Sequence, residues 1–218
     1  AKIVRTFLAM ARQRPTSMEP CAVNEIVETA LEVSGYALKT NGTEVIVDLD
    51  EAAPHVIGDF DQLAQVFSNL IVNAGHAVAS KGTRGNLTVK TRALSGEVQI
   101  DISDNGGGIP KEIQSRIFEP FFTTKDVGEG TGIGLAFSHR IVESHDGTLT
   151  VQSAVGQGAT FTVRLLAEDS PDTISMVADG HTRGNRSVLV VDDEEGVARL
   201  ISDLLSDEIG RASCRERV

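Results

Sequence analysis

The chain has 218 residues, 40% hydrophobic and 23% charged, an ordinary globular composition. Acidic residues outnumber basic ones 31 to 20, a formal net charge of −11 that works against non-specific binding to nucleic acid or an anionic membrane surface. No apolar run is long enough to span a bilayer, no signal-peptide pattern is present, and Cys21 and Cys214 give neither a disulfide framework nor metal-ligand spacing, so a reducing cytoplasm is expected.

Residues 1–13 place Ile3, Val4, Phe7, Leu8 and Met10–Ala11 at helical spacing, with Pro15 as a stop, and read as the end of a longer amphipathic helix. A helix over about 22–40 and an alternating strand over 43–49 follow. From 59 to 80, Asp59 offers a cap, and Leu63, Val66, Phe67, Leu70, Ile71 and Ala74 share one helical face. Residues 86–94 and 97–103 alternate and are joined at Ser95–Gly96, which predicts a hairpin. Residues 110–118 read as a short helix with Pro110 at its first position, followed by a loop rich in Gly, Thr and Lys. A helix over about 131–145 ends at Gly147, and two strands, 148–154 and 159–166, are linked by VGQG. Residues 167–186 are polar and aperiodic, a linker. A buried strand, SVLVV at 187–191, then runs into DDEE and a helix. Residues 208–218 resemble the in-frame translation of a sequencing adapter and are set apart from the fold.

Three glycine-containing segments carry the chemistry. In SDNGGGIP, residues 103–110, a carboxylate follows directly on a strand, and Asp104 can accept a hydrogen bond from an exocyclic amine, which separates adenine from guanine. Gly106 and Gly108 would let backbone pass close to a flat ring; the alternative is a tight turn with an Asp-centred motif. GEGTGIGL, residues 128–135, has Gly128, Gly130, Gly132 and Gly134 at every second position before a helix. Backbone amides there suit phosphates, with Lys125 as a nearby cation; a plain surface loop is the alternative. Asn69 and Asn73, four apart on a helix whose other face is apolar, offer oxygen donors to a hard cation such as Mg²⁺. His76, one turn on, would reach a phosphate or else sit on a solvated helix end.

Taken in order, the Asn-xxx-Asn helix, DNGGGI, FEPFFTTK and GEGTGIGL resemble the ATP-binding domain of sensor histidine kinases, within the ATPase superfamily that includes gyrase, the MutL repair proteins and the heat-shock-ninety chaperones. The resemblance covers about residues 20–166. It implies a two-layer α/β sandwich, a mixed sheet backed by helices, holding ATP and Mg²⁺ between a helix and a lid. By position, Asn69 and Asn73 would form the N box, with Asn73 the metal ligand. Asp104, Gly106 and Gly108 would hold adenine, and Phe118, Pro120, Phe121 and Phe122 would anchor the lid. Gly130, Thr131, Gly132, Gly134 and Leu135 would surround the phosphates.

Hydrolytic members of that superfamily carry Glu where this chain has Asn69, and Asn cannot take a proton from water at neutral pH. A kinase that keeps ATP intact for a protein nucleophile is therefore expected over a hydrolytic ATPase or a non-catalytic nucleotide-binding module. In the family the nucleophile is a histidine on an upstream dimerisation domain. Residues 1–14 would be only its tail, and none of His55, His76, His139, His145 and His181 sits in the phosphoacceptor context, so self-phosphorylation is not expected of this fragment, which should be monomeric although its parent is a homodimer. The expected divisions are 15–166 for the ATP-binding domain, 167–186 for the linker and 187–207 for the start of a response-regulator receiver domain, a truncated strand and helix. There Asp192 and Asp193 would hold Mg²⁺, implying a hybrid kinase.

Overall fold

The computed structural model describes residues 17–40, 42–80, 85–125 and 131–168, together with short strands at 189–190 and 213–214. The chain divides into two compact units, residues 1–174 and 175–218. The helix expected over 1–13, most of the linker, Gly130, Asp192 and Asp193 lie outside the described residues.

In the first unit the elements follow in order as β1 (Glu19–Ala22), α1 (Val23–Thr40), β2 (Thr43–Asp48), β3 (His55–Gly58), α2 (Phe60–Ala79), β4 (Gly85–Leu94), β5 (Glu97–Asp104), a 3₁₀ turn (Lys111–Ile113), α3 (Gly134–Ser144), β6 (Thr148–Ala154) and β7 (Gly158–Leu166). Five strands form one mixed sheet in the order β2-β4-β5-β7-β6, in which only the β2–β4 pair is parallel. Strands β1 and β3 pair separately as a small antiparallel sheet.

The layering follows from period-two patterning. One face of the large sheet presents Leu87, Val89, Val98, Ile100, Ile102, Phe161, Val163 and Leu165, all buried. Helix α2 lays Leu63, Val66, Phe67, Leu70, Ile71 and Ala74 into the same core, each at most 2% exposed. Each of the large side chains contributes roughly 1.5–3 kcal/mol by leaving water. The other sheet face is polar and makes cross-strand pairs: Thr162 Oγ1 donates to Asp101 at 2.7 Å, and Arg164 Nε donates to Gln99 Oε1 at 3.1 Å. This gives two layers, helices on one side and solvent on the other, the α/β sandwich with a mixed sheet that the motifs led one to expect.

Helix α2 starts where the sequence places it, because Asp59 stays extended at φ −88° and its carboxylate accepts the Gln62 N–H at 3.0 Å. The tie at its base is made by a buried histidine. His145, 3% exposed at the end of α3, takes the Asp59 N–H on Nε2 at 3.0 Å while Nδ1 lies 2.7 Å from the Ile141 carbonyl. The second contact assigns the proton to Nδ1, leaving Nε2 as the acceptor.

Several expectations need correction. Residues 110–118 do not form a regular helix. Pro110 is extended at ψ 140°, and only Lys111–Ile113 makes a 3₁₀ turn. The Gln114 amide donates to both the Ile109 and Ser153 carbonyls, at 2.8 and 2.9 Å, which draws the segment onto β6 instead of letting it coil on its own. Helix α3 begins at Gly134 and not near 131, because Gly132 adopts φ +64°. At its other end the left-handed residue is Asp146 at φ 52°, one position before Gly147. The four-residue strands β1 and β3 were not foreseen.

In the second unit, Leu189–Val190 pairs in parallel with Ser213–Cys214. The first of these strands lies within the strand expected at 187–191, and the second lies within the segment set apart at 208–218.

Candidate nucleotide site

One stripe of α2 organises the site. Asn69, Asn73 and Ala77 are spaced by four and so lie one above another, spanning about 12 Å along the helix axis. Asn69 and Asn73 are half-buried, and His76 beside them is exposed.

At the lower end of this stripe, the sequence expects a carboxylate and a run of glycines, and the structure supplies the packing that requires them. Asp104, the last residue of β5, is 8% exposed, and its Oδ1 accepts the Gly106 N–H at 2.8 Å. A side chain on Gly106 would run into the Ala77 carbonyl oxygen at 2.5 Å, so the loop can lie against α2 only if residue 106 has none. Gly108, at φ +72°, faces the Ala154 backbone in the same way, and the Gly156 N–H donates to the Gly107 carbonyl at 2.7 Å. The close approaches at 106 and 108 are thus to protein backbone, while Gly107 has open space where a side chain would be. Asn105 is also accounted for. Its Oδ1 accepts the Asn86 N–H at 2.9 Å and fastens the loop to the start of β4.

At the upper end, the loop between residues 121 and 132 is closed at its base by the Phe121 N–H donating to the Gly132 carbonyl at 2.8 Å. Phe121 has φ 69°, an uncommon conformation for a bulky side chain, and its ring is 67% exposed. Phe118 stacks obliquely on His139 of α3 with ring centroids 5.0 Å apart, and the Arg116 guanidinium lies 4.6 Å from the centre of the Phe122 ring. Phe118 and Phe122 pack against the core, as expected of residues that anchor a loop. Pro120 is exposed. Lys125 Nζ lies 3.0 Å from His76 Nδ1, so the loop reaches across to α2.

Gly134 opens α3 against Asn69, where an added side chain would meet Asn69 Oδ1 at 2.5 Å. The Asn69 amide donates to Ser138 Oγ at 2.9 Å. Thr131, Gly132 and Leu135 are half-buried around this junction. The structure therefore brings Asn69 to Gly134, His76 to Lys125 and Gly106 to Ala77, all on one helix. Among the described residues no hydrogen bond occupies the Asn73 amide, which lies between these contacts. A groove of about 600 Å³ lined by Ile109, Pro110, Gln114, Val151 and Val155 among others contains none of the candidate site residues.

Sequence reasoning missed two participants. Ala77 offers only its backbone, which no side-chain pattern reports. Ser138 could have been found, since it lies four residues after Gly134 on a helix face whose other buried members are Ile141 and Val142.

No cluster of three or more His, Cys, Asp or Glu that could hold a metal occurs among the described residues. No described helix is long and apolar enough to cross a membrane. Free Cys21 is buried, and burial together with the carboxylates of Glu19, Asp59 and Glu25 pushes its thiol pKa up, which disfavours the reactive thiolate.

Among characterised proteins, the signal transduction histidine-protein kinase AtoS of Escherichia coli is 37% identical over 165 residues, covering 75% of this chain and 26% of AtoS. The sensor kinase CckA of Brucella abortus is 30% identical over 224 residues, covering 90% of this chain and 23% of CckA. This chain thus spans about a quarter of each relative. Among solved structures, the nucleotide-free catalytic domain of histidine kinase ThkA superposes with a TM-score of 0.62 at 25% identity, covering 72% of this chain and 98% of that one. Full-length ShkA in complex with AMPPNP shares the fold, with a TM-score of 0.67 at 22% identity, covering 100% of this chain and 45% of ShkA. The sequence model of the histidine kinase-, DNA gyrase B- and HSP90-like ATPases matches residues 58–169, from the end of β3 through β7, and with the glycine loops and asparagine helix in these positions the chain belongs to that family.

Proposed function

We propose that this chain carries the ATP-binding catalytic domain of a sensor histidine kinase. It binds ATP along the Asn69–Ala77 stripe of α2 and presents the γ-phosphoryl group to a histidine on the dimerisation domain of its parent. The histidine nitrogen attacks the γ-phosphorus, the bond to the β–γ bridging oxygen breaks, and ADP leaves. Asp104 accepts the adenine exocyclic amine beside Gly106 and Gly108. Thr131, Gly132, Gly134 and Leu135, with Gly130, surround the phosphates at the start of α3. Lys125 and His76 lie close enough together to share phosphate charge.

The donor set fits Mg²⁺ and not a metal that demands a full protein cage. Amide oxygens on α2 are hard ligands, Asn73 foremost, and Mg²⁺ commonly completes its shell with water and substrate phosphates. When bound it would neutralise phosphate charge. The observation that carries the reading is the convergence of three separated motifs on one helix: the Gly106–Ala77 approach, the Asn69–Gly134 approach and the Lys125–His76 contact. The solved complex of ShkA with AMPPNP supports a nucleotide in this fold. Asn69 lacks the basicity to activate water, which favours transfer over hydrolysis.

The same reading extends to the parent. A homodimer would supply the acceptor histidine, and a receiver domain beginning near residue 187, with Asp192 and Asp193 at its metal site, would pass phosphate onward in a hybrid kinase. The match to CckA over 90% of the chain supports a shared C-terminal portion.

Asp104→Asn tests the reading. Asparagine keeps an oxygen for the Gly106 N–H, so the fold survives, but it removes the charge-assisted bond to adenine, worth about 1.5–3 kcal/mol. The ATP dissociation constant measured by calorimetry should rise by roughly 10–100-fold. An unchanged constant removes Asp104 from the adenine role. Adding an intact dimerisation domain with γ-labelled ATP should label its histidine; steady phosphate release with no labelled protein would favour a hydrolase.

A further inference from the structure

The contact between Asn69 and Ser138 is not accounted for by nucleotide binding alone. Ser138 is 2% exposed and shares the inward face of α3 with Ile141 and Val142. A hydroxyl in such surroundings is costly unless paired. Its partner, 69 residues away, is the Asn69 amide at 2.9 Å. Asn69 itself follows one turn after two fully buried residues, Val66 and Phe67. Its other amide atom, Oδ1, occupies the space that a side chain on Gly134 would need. Three residues therefore interlock: Asn69 on α2 is held on one side by Ser138 and fits on the other into the notch left by Gly134. A shift of α3 by one turn would break the hydrogen bond and close the notch together.

The location makes this more than packing. Gly134 and Ser138 are one turn apart on the same face of α3. The first turn of that helix follows directly on Gly132, whose carbonyl closes the base of the 121–132 loop. Whatever fixes α3 against α2 at this point also fixes where the free N–H groups of its first turn are aimed.

We infer that Ser138 is a positioning residue for the nucleotide phosphates, acting through Asn69. It fixes the Asn69 amide, Asn69 sets the register of α3 against α2, and the first turn of α3 then meets the phosphates in the correct place. Asn73 is left as the amide that faces metal and ligand. The inference rests on the ATP-site reading and divides the two asparagines by task.

The test is Ser138→Ala, with Ser138→Thr as the variant that keeps the hydroxyl. Affinities are measured for AMPPNP with Mg²⁺, which carries the phosphates, and for adenosine, which lacks them. In Ser138→Ala the AMPPNP dissociation constant rises about 5–10-fold while that for adenosine stays within two-fold, and Ser138→Thr restores AMPPNP binding. In the nucleotide-free protein, the Asn69 side-chain amide signals in ¹⁵N spectra move in Ser138→Ala and return in Ser138→Thr. Combined with Asn69→Ala, Ser138→Ala has little further effect on AMPPNP affinity, since both act through one contact.

Equal weakening for AMPPNP and adenosine, which is what a purely structural role would give, overturns the inference, as do effects of the two substitutions that multiply independently. If Ser138→Ala fails to fold, the Asn69 signals and AMPPNP affinity of Ser138→Thr decide: wild-type values support the role, and loss of AMPPNP affinity with the hydroxyl retained overturns it. If the wild-type chain binds AMPPNP and Ser138→Ala binds it equally well, only this inference falls. If the wild-type chain binds no adenine nucleotide, the ATP-site reading falls and this inference with it.

Discussion

The two ends of the α2 stripe are built in different ways. At the Asp104 end the glycines pack mostly against main chain: Gly106 against the Ala77 carbonyl, Gly107 bonded to Gly156, Gly108 against Ala154, and Gly158 against the Asp104 backbone itself, with the Asp104 and Asn105 side chains adding one hydrogen bond each. Where the 121–132 loop and the start of α3 meet α2 the contacts are mostly side chains: Phe118 on His139, Lys125 reaching His76, and Asn69 between Ser138 and Gly134. Backbone contacts fixed by a sheet cannot move without breaking the sheet. Side-chain contacts across a loop open locally at far lower cost. Under the proposed function, the first end would serve as the socket for the adenine base and the second would meet the phosphates.

Substitution should expose that contrast most sharply within the glycines. Gly158→Ala forces a side chain into φ +84° and against the Asp104 carbonyl. Left-handed strain and overpacking together should cost about 2–5 kcal/mol in urea unfolding. Gly107→Ala, two positions away from Asn105 in the same glycine run, meets nothing within 4 Å and has ordinary φ, so stability should hold within about 0.5 kcal/mol. Similar losses for both would mean that the loop is not held by the contacts described.

The side of α2 that meets the 121–132 loop should respond in the opposite sense. Lys125→Ala removes an exposed side chain, so the unfolding midpoint should barely move, within about 0.5 kcal/mol. ATP affinity should fall several-fold and adenosine affinity should not. A stability loss comparable to that of Gly158→Ala would make Lys125 part of the structural frame.

A smaller effect marks the sheet side away from the glycine loop. Asp50 accepts the Ala93 and Ala52 N–H groups, each at 2.9 Å, and these bonds hold its carboxyl below the ordinary value of 3.8. A depressed folded-state pKa contributes stability that is present above the unfolded value and is lost as pH falls through the folded one. Asp50→Ala should therefore be less stable than wild type at pH 7. The gap should narrow as pH falls below about 4. A gap independent of pH would show that packing and not the carboxylate matters at this position.

Much of the frame was legible in advance because it depends on local periodicity. Helix α2, the β4–β5 hairpin and strands β6 and β7 have long runs of period 3.6 or 2, and each lies within a residue or two of its expected limits. Strands β1 and β3 are too short to show a period, and they exist because each supplies the other's hydrogen bonds. Residues 110–118 carried helix signals, but Gln114 found partners on β6 that a local reading cannot include. The candidate site was legible as residue types: a carboxylate, two amides, a lysine and two glycine runs. What each glycine avoids was not legible, because the atom it avoids belongs to a distant segment.

The sequence by itself determined which elements form and which polar groups they carry, since burial of one face per helix and strand is set by spacing along the chain. Only the tertiary structure decided that Ala77, His76 and Asn69 meet three separate motifs at once, and that Ser138 holds the Asn69 amide. Register between α2 and α3 is fixed by contacts across 69 residues, and no local pattern encodes a distance of that kind.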